Sequence, residues 1–192
     1  QVGGRGKGNG LREAFHSFIQ TEDEFLVLMD ADGTYRPEEI VDLLVHLESS
    51  KVEIVIGSRM KGTISSGAMT RRNYIGNRIL TWLAVVLYSR YVSDLCTGFW
   101  GFRSRCLEKL PLSAKGFNLE AELFSSVNKF QMKTIEIPIN YANREGVSNL
   151  KWYVDGPRIF LTSLKKRFEY TKKPVHDLLY ISCFAILVYT IL

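Results

Sequence analysis

The segment FLVLMDADGT, residues 25–34, restricts the fold of this chain more than any other stretch. Its first five residues are apolar without interruption, which indicates a strand buried on both faces rather than one with a solvent-facing side. Asp30 and Asp32 follow this strand directly. Ligands of open α/β sheets bind beyond the carboxyl ends of parallel strands. The segment therefore predicts a parallel sheet with a carboxylate pair at its ligand-binding edge.

The surrounding elements favour an α/β fold. Pro37 suits the first turn of a helix, and residues 53–59 form a second buried strand that ends in Arg59. Strand, helix and strand in this order predict a parallel crossover unit. Residues 96–103 alternate glycine with aromatic residues and predict a strand that passes close to a ligand. Further helices are predicted over 10–20, 71–92, 117–130 and 152–170, and a further strand over 133–141.

Length and composition limit the possible partners and sites. A chain of 192 residues is long enough for one domain with a substantial core, and two domains are not expected. The net charge of +5 suits an anionic partner such as a phosphate ligand, a membrane surface or nucleic acid. Three scattered cysteines predict neither a disulfide framework nor a cysteine metal site. The three histidines also lack metal-site spacing, so the carboxylates are the best metal ligands.

The C-terminal part predicts contact with a membrane. Residues 178–192 are apolar and uncharged, like the first part of a spanning helix of roughly 20 residues. Lysines and arginines crowd the preceding segment, as they do on the cytoplasmic side of membranes. The alternative is a buried C-terminal helix. We expect a domain over 1–150, an amphipathic basic helix over 151–174 and a truncated spanning helix from 175, in a fragment that lacks both ends.

Three interpretations of the aspartate pair are open at this point. In a haloacid-dehalogenase-type phosphatase the first aspartate would be a nucleophile, but that site needs a second acidic pair. The remaining downstream aspartates form no such pair: they are Asp42, Asp94, Asp155 and Asp177. In a sugar transferase the pair would hold a metal ion and a nucleoside diphosphate. In the third interpretation, Asp30 and Asp32 only cap the helix that begins at Pro37.

Seven segments, in chain order, resemble the family 2 glycosyltransferases and, within them, the dolichyl-phosphate (polyprenyl-phosphate) sugar synthases. They are RGKGNGLREAF (5–15), DADGTYRPEEI (30–40), GSRMKG (57–62), RRNYIGNRILTWL (71–83), DLCTGFWGFR (94–103), GFNLEAEL (116–123) and IEIPINYANREGVSNL (135–150). The resemblance extends from residue 4 to about residue 160. The CTGFWGF form is most similar to archaeal-type members.

The resemblance implies a glycosyltransferase A fold, which is α/β with a mostly parallel central sheet, here truncated at its N-terminus because the first strand is missing. It also implies metal-dependent transfer of a sugar, with inversion, from a UDP- or GDP-sugar to a polyprenyl or dolichyl phosphate. The expected cofactor is Mg²⁺ or Mn²⁺ on Asp30 and Asp32, since both ions prefer carboxylates. We expect a membrane-associated protein with its catalytic domain on the cytoplasmic face and no nucleic-acid partner.

Individual residues receive roles on this interpretation. The residues expected to bind the nucleotide sugar are Lys7, Asp30, Asp32, Arg59 and Arg72, and those expected at the reacting groups are Asp32, Asp94, Glu120 and Arg144. A lipid phosphate is already an anionic nucleophile, whereas a sugar hydroxyl needs a general base. Glu120 would be that base if the acceptor were a saccharide. A family 2 enzyme with a hydroxyl acceptor and a non-enzymatic nucleotide- or lipid-binding module remain as alternatives.

Overall fold

The computed structural model describes residues 7–49, 51–110, 113, 116, 118–146 and 152–170, which build a four-stranded sheet with helices on both faces. The strands are β1 (Phe25–Leu28), β2 (Ile54–Ser58), β3 (Trp100–Arg103) and β4 (Thr134–Pro138). The helices are α1 (Lys7–Ile19), α2 (Ile40–Ser49), α3 (Arg71–Tyr88), α4 (Ser104–Leu107), α5 (Leu119–Lys129) and α6 (Trp152–Tyr170). A 3-10 turn, Pro37–Glu39, leads into α2.

The strand order is β1-β3-β2-β4. Because β1 and β2 are both antiparallel to β3, and β4 is parallel to β2, the strands β1, β2 and β4 run in one direction. Three of the four described strands thus share a direction, although two of the three hydrogen-bonded pairs are antiparallel and the sheet is mixed. The simple crossover predicted that β1 and β2 would be neighbours. That prediction is wrong, because β3 lies between them. Val27 and Val55 both pair with Gly101 of that strand.

Alternating side chains of the strands supply two separate cores. Ile54 and Ile56 of β2 belong to a large core formed with α1, α3 and α5, whereas Val55 belongs to a smaller core with α2. The alternation follows from the twofold period of a strand. All five residues of β2 are buried, as the apolar run predicted. Gly101 faces α2, where an added Cβ would lie 3.0 Å from Leu47 Cδ1.

Most predicted elements are present, and several have different ends. The helix predicted over 10–20 spans residues 7–19. The helix predicted over 71–92 ends at Tyr88, because Ser89 takes a left-handed conformation with φ of 50°. The strand predicted over 96–103 begins only at Trp100, and the residues before it are irregular. In the described part of the chain, no helix combines the length and apolar character needed to cross a bilayer. The segment 175–192, predicted to begin such a helix, lies outside the described residues.

Candidate active site

The side chains predicted to carry the chemistry lie mainly at one edge of the sheet. Asp30 and Asp32 follow β1, Arg59 follows β2, and Arg144 lies in the segment after β4. These three strands run in the same direction, so their carboxyl ends share one edge, where ligands bind in sheets of this kind. Strand β3 runs the opposite way and therefore brings the segment before it, residues 94–99, to the same edge.

Lys7 joins two carboxylates that are far apart in the sequence. Its Nζ lies 2.7 Å from Asp30 Oδ1 and 2.6 Å from Glu120 Oε1. Lys7 is the first residue of α1, and Glu120 lies in the first turn of α5. The Glu120 side chain is only 8% exposed, whereas the Lys7 and Asp30 side chains are 27% and 31% exposed. The cluster is thus buried on the Glu120 side and accessible at Asp30 and Lys7.

The two neighbouring carboxylates keep the Lys7 side chain protonated. Burial alone would lower the pKa of Lys7, but the carboxylates of Glu120 and Asp30 outweigh burial and raise it above its ordinary value. Burial raises the pKa of Glu120, and the ion pair with Lys7 offsets part of that rise. Lys7 is therefore an ammonium ion across the physiological pH range.

The backbone of Gly98 lies directly against the carboxylate of Asp30. A Cβ added at Gly98 would stand 2.3 Å from Asp30 Oδ2, so this position has no room for a side chain. The Gly98 N–H donates a 2.8 Å hydrogen bond to Tyr35 Oη. Tyr35 is buried and packs against the rings of Phe99 and Tyr141. The glycine-rich segment predicted to pass close to a ligand thus passes close to a predicted metal-binding carboxylate.

Asp32 sits in a tight turn and meets a side chain from beyond β4. Gly33 has a φ of 77°, which favours glycine. The backbone N–H and the hydroxyl of Thr34 both donate to Asp32 Oδ1, and Arg144 Nη1 lies 2.6 Å from Oδ2. The 3-10 turn that starts α2 has Arg36 as its N-cap, with no side-chain cap hydrogen bond. The interpretation of the pair as a simple helix cap is therefore not supported.

Arg59 and Asp94 form a buried, bidentate ion pair. Arg59 Nε and Nη2 each donate to one oxygen of Asp94 at 2.7 Å, and the Arg59 backbone N–H donates at 3.1 Å. Asn77 Nδ2 adds a fourth hydrogen bond of 2.8 Å, so each Asp94 oxygen accepts two. Burial would lower the pKa of Arg59, but the Asp94 carboxylate outweighs it and raises that pKa. The guanidinium also lies over the Tyr141 ring.

Arg72 is not drawn into these clusters. It is exposed in the first turn of α3, where Thr70 caps the helix by accepting a hydrogen bond from the Asn73 N–H. It forms no ion pair with any residue that the structure describes. Its predicted contact with the nucleotide or the lipid phosphate stays a prediction.

The polar face of α3 was not predicted from the sequence. Asn77 and Thr81 are buried on the face of this helix that meets residues 95 and 96, where their oxygens accept from the backbone N–H groups of Cys96 and Leu95, respectively. They hold the segment that carries Asp94. Their spacing of four residues places them on one helical face, and this pairing of two uncharged polar residues was an available indication.

The donor set at Asp30 and Asp32 suits Mg²⁺ or Mn²⁺. Both ions favour carboxylate oxygens and keep several waters when a diphosphate supplies further ligands. Within the described ranges there is no group of three or more histidine, cysteine or acidic side chains that could hold a metal ion. Two carboxylates, completed by water and diphosphate oxygens, therefore fit this edge better than an all-protein site.

Comparison with known proteins places the chain among sugar transferases. The profile described as Glycosyl transferase family 2 matches residues 2–111. A low-salt glycan biosynthesis hexosyltransferase of Haloferax volcanii is 32% identical over 154 residues, covering 80% of this chain and 37% of that protein. A polyprenol monophosphomannose synthase of Mycolicibacterium smegmatis is 33% identical over 134 residues, covering 65% of this chain and 48% of that protein. The chain spans half or less of either relative.

Solved structures support the fold. Glucosyl-3-phosphoglycerate synthase of Mycobacterium tuberculosis, in a complex with Mn²⁺, uridine diphosphate and glucosyl-3-phosphoglycerate, superposes with a TM-score of 0.62. The match covers 85% of this chain and 56% of that one, at 17% sequence identity. At this identity the likeness concerns the fold alone, and it confirms the glycosyltransferase A-like architecture predicted from the sequence.

Proposed function

The chain belongs to glycosyl transferase family 2, and from this premise we propose that it transfers a sugar from a nucleoside-diphosphate donor to a polyprenyl or dolichyl phosphate. The proposal depends above all on the Asp30–Asp32 pair, which meets basic side chains from two distant segments, Lys7 and Arg144. The relative named as a polyprenol monophosphomannose synthase supports a lipid phosphate as acceptor. The donor is a UDP- or GDP-sugar, and the cofactor is Mg²⁺ or Mn²⁺.

On the donor side, the site is suited to a leaving group that gains negative charge. A divalent cation held by Asp30 and Asp32 would neutralise charge on the departing nucleoside diphosphate. Lys7 and Arg144 contact the same two carboxylates and are 27% and 34% exposed, so both are accessible to diphosphate oxygens. Arg59 is buried and its Nε and Nη2 already bind Asp94, so we assign it the role of holding this edge together.

On the acceptor side, the reaction needs no proton transfer. A phosphate oxygen of the lipid forms a bond to the anomeric carbon, the bond from that carbon to the diphosphate breaks, and the nucleoside diphosphate departs with the electron pair. The two carboxylates considered as bases are engaged, since Asp94 accepts four hydrogen bonds and Glu120 is paired with Lys7. This favours an anionic nucleophile over a hydroxyl acceptor.

Helix α3 carries a surface suited to lipid. Ile75, Ile79 and Trp82 are 46%, 46% and 50% exposed, and their spacing places them on one face, here called the α3 apolar stripe. The opposite face buries Asn77 and Thr81, so this part of the helix is polar inside and apolar outside. Its exposed charged residues are all arginines: Arg71, Arg72 and Arg78. An apolar stripe flanked by arginines is typical of a helix that lies on an anionic membrane surface.

Helix α6 also supports contact of the domain with a membrane surface. It packs against α3 and α5, and its last turns carry three basic residues. Lys165 is exposed, whereas Lys166 turns inward to Glu122 and Arg167 is partly buried. Basic residues beside membrane segments lie preferentially on the cytoplasmic side. We therefore propose that the domain sits on the cytoplasmic face of a membrane, where it would meet the phosphate end of a polyprenyl phosphate.

The proposal is tested with the full-length protein in detergent, Mn²⁺ or Mg²⁺, dolichyl phosphate and radiolabelled UDP-glucose, UDP-N-acetylglucosamine or GDP-mannose. We expect label to enter the organic phase with one donor, and Asp32→Asn to lower the rate at least about a hundredfold, because metal-ion catalysis supplies several kcal/mol. Asp42→Asn, on the exposed side of α2, is the matched control and should leave the rate unchanged.

Other outcomes identify the alternatives. Sugar transfer to a water-soluble saccharide, with polyprenyl phosphate inert, would replace the lipid acceptor by a hydroxyl acceptor and make Glu120 a candidate base. Binding of the nucleotide without transfer to any acceptor would indicate a non-enzymatic binding module. Equal rates for Asp32→Asn and Asp42→Asn would refute the metal-binding role of the pair.

A further inference from the structure

The Lys7 ammonium raises a question of charge balance at the metal pair. It contacts Asp30 at 2.7 Å, while Asp30 is one of the two carboxylates that would hold a divalent cation. A metal ion on Asp30 and Lys7 beside it are like charges, which repel each other strongly at short range in a partly buried site. A lysine in this position therefore weakens metal binding unless another group compensates its charge.

Glu120 has the position needed for that compensation. Its Oε1 lies 2.6 Å from Lys7 Nζ, on the buried side of the cluster. The side chain is held in the first turn of α5, within a helix whose residues from Leu119 to Asn128 are all buried. An ammonium has three donors, so Lys7 binds Asp30 and Glu120 at the same time.

We propose that Glu120 is a positioning residue that acts as the counter-ion of Lys7, so that Lys7 remains beside Asp30 when Asp30 carries a divalent cation. Lys7 is thereby kept at the metal pair, where it reaches the donor diphosphate. The inference rests on the proposed function, and it assigns Glu120 a role in metal and diphosphate binding rather than in proton abstraction.

The test measures Mn²⁺ affinity of the full-length protein in detergent, using the electron paramagnetic resonance signal of free Mn²⁺. The variants are compared without nucleotide, because Lys7 would also contact the diphosphate of a bound nucleotide. The unaltered protein is measured in addition with UDP or GDP. Glu120→Gln keeps the shape of the side chain but removes its charge, and we expect Mn²⁺ affinity to fall on the order of tenfold. The double variant Lys7→Met/Glu120→Gln removes both charges and should return to within about threefold of the unaltered protein. Glu53→Gln, at the opposite edge of the sheet, is the matched control.

The rescue separates charge compensation from other roles. A general base leaves Mn²⁺ affinity unchanged when it is replaced, and a residue needed only for folding is not restored by a second substitution. Unchanged affinity in Glu120→Gln, or a double variant as weak as Glu120→Gln alone, would overturn the inference. If Glu120→Gln does not fold, two Lys7 variants replace it. Lys7→Met should bind Mn²⁺ more tightly than the unaltered protein does, and Lys7→Arg should not. Equal Mn²⁺ affinities of these two variants would overturn the inference.

Failure of the proposed function would give a different result from failure of the counter-ion role alone. If the unaltered protein binds no Mn²⁺ or Mg²⁺ with either nucleotide, metal-dependent transfer and the counter-ion role are both wrong. If it binds the metal normally and only the Glu120 variants behave otherwise than expected, the counter-ion role alone is wrong.

Discussion

Replacing Gly98 by alanine would put a methyl group against the carboxylate of Asp30. An ideal Cβ at this position lies 2.3 Å from Asp30 Oδ2 and 2.6 Å from Cγ. Carbon and oxygen atoms in close contact stand about 3.3 Å apart, so the carboxylate must withdraw by about 1 Å. A displacement of about 1 Å at a group positioned for chemistry lowers the rate on the order of a hundredfold. We expect a loss of that size in sugar transfer, together with weaker Mn²⁺ binding.

The stability effect should be small, because the clashing atoms belong to the end of a short side chain that can rotate. Moving Asp30 off its preferred rotamer costs about 1 kcal/mol in the free energy of unfolding. Transfer rate, Mn²⁺ affinity and thermal unfolding are measured together. Gly101→Ala is the packing control: its Cβ would stand 3.0 Å from Leu47 Cδ1. It should lower the free energy of unfolding by about 1–3 kcal/mol and leave the transfer rate of the folded protein unchanged.

Gly76→Ala is the second control, since a Cβ there has no neighbour within 4 Å among the described residues. Inside α3 it should raise the free energy of unfolding by about 1 kcal/mol. A Gly98→Ala protein with the rate and the Mn²⁺ affinity of the unaltered protein would refute the importance of the contact between Gly98 and Asp30. A Gly98→Ala protein that loses stability as Gly101→Ala does but keeps its activity would refute it as well.

Two further results are expected. Asp94→Asn removes the counter-charge of buried Arg59 and should lower the free energy of unfolding by about 3–5 kcal/mol, as measured in urea titrations. Lost turnover at an unchanged free energy of unfolding would instead indicate that Asp94 is a general base. In full-length protein reconstituted into vesicles, brominated acyl chains should quench the fluorescence of Trp82 on the α3 apolar stripe. In a Trp152→Phe background, Trp82→Phe should remove most of the quenchable signal of this domain, because the remaining Trp100 is fully buried. Equal quenching without Trp82 would contradict the membrane orientation.

Local patterns were sufficient for several features of this protein. The uninterrupted apolar run before Asp30 predicted a strand, and β1 occupies residues 25–28 of it. Its predicted burial on both faces was wrong, because all four residues are only partly buried in a strand that lies at the edge of the described sheet. The run before Arg59 predicted β2, which is buried at every position. The amphipathic pattern over 152–170 predicted α6 with its observed bounds. Periodicity reports which face of an element is buried, so the elements and the placing of Asp30, Asp32 and Arg59 at strand ends were readable from residues near in sequence.

Partnerships across the site were decided only by the tertiary structure. The contact of Lys7 with Glu120 joins residues 113 positions apart. The contact of Arg144 with Asp32 depends on the path of the chain after β4. Both require the strand order β1-β3-β2-β4, in which β3 enters between two strands that precede it in the chain. An ion pair depends on distances of a few ångströms between elements, whereas sequence patterns specify only the buried face of each. The sequence alone therefore identified the charged residues of this edge, and the packing of the sheet and helices determined which of them meet.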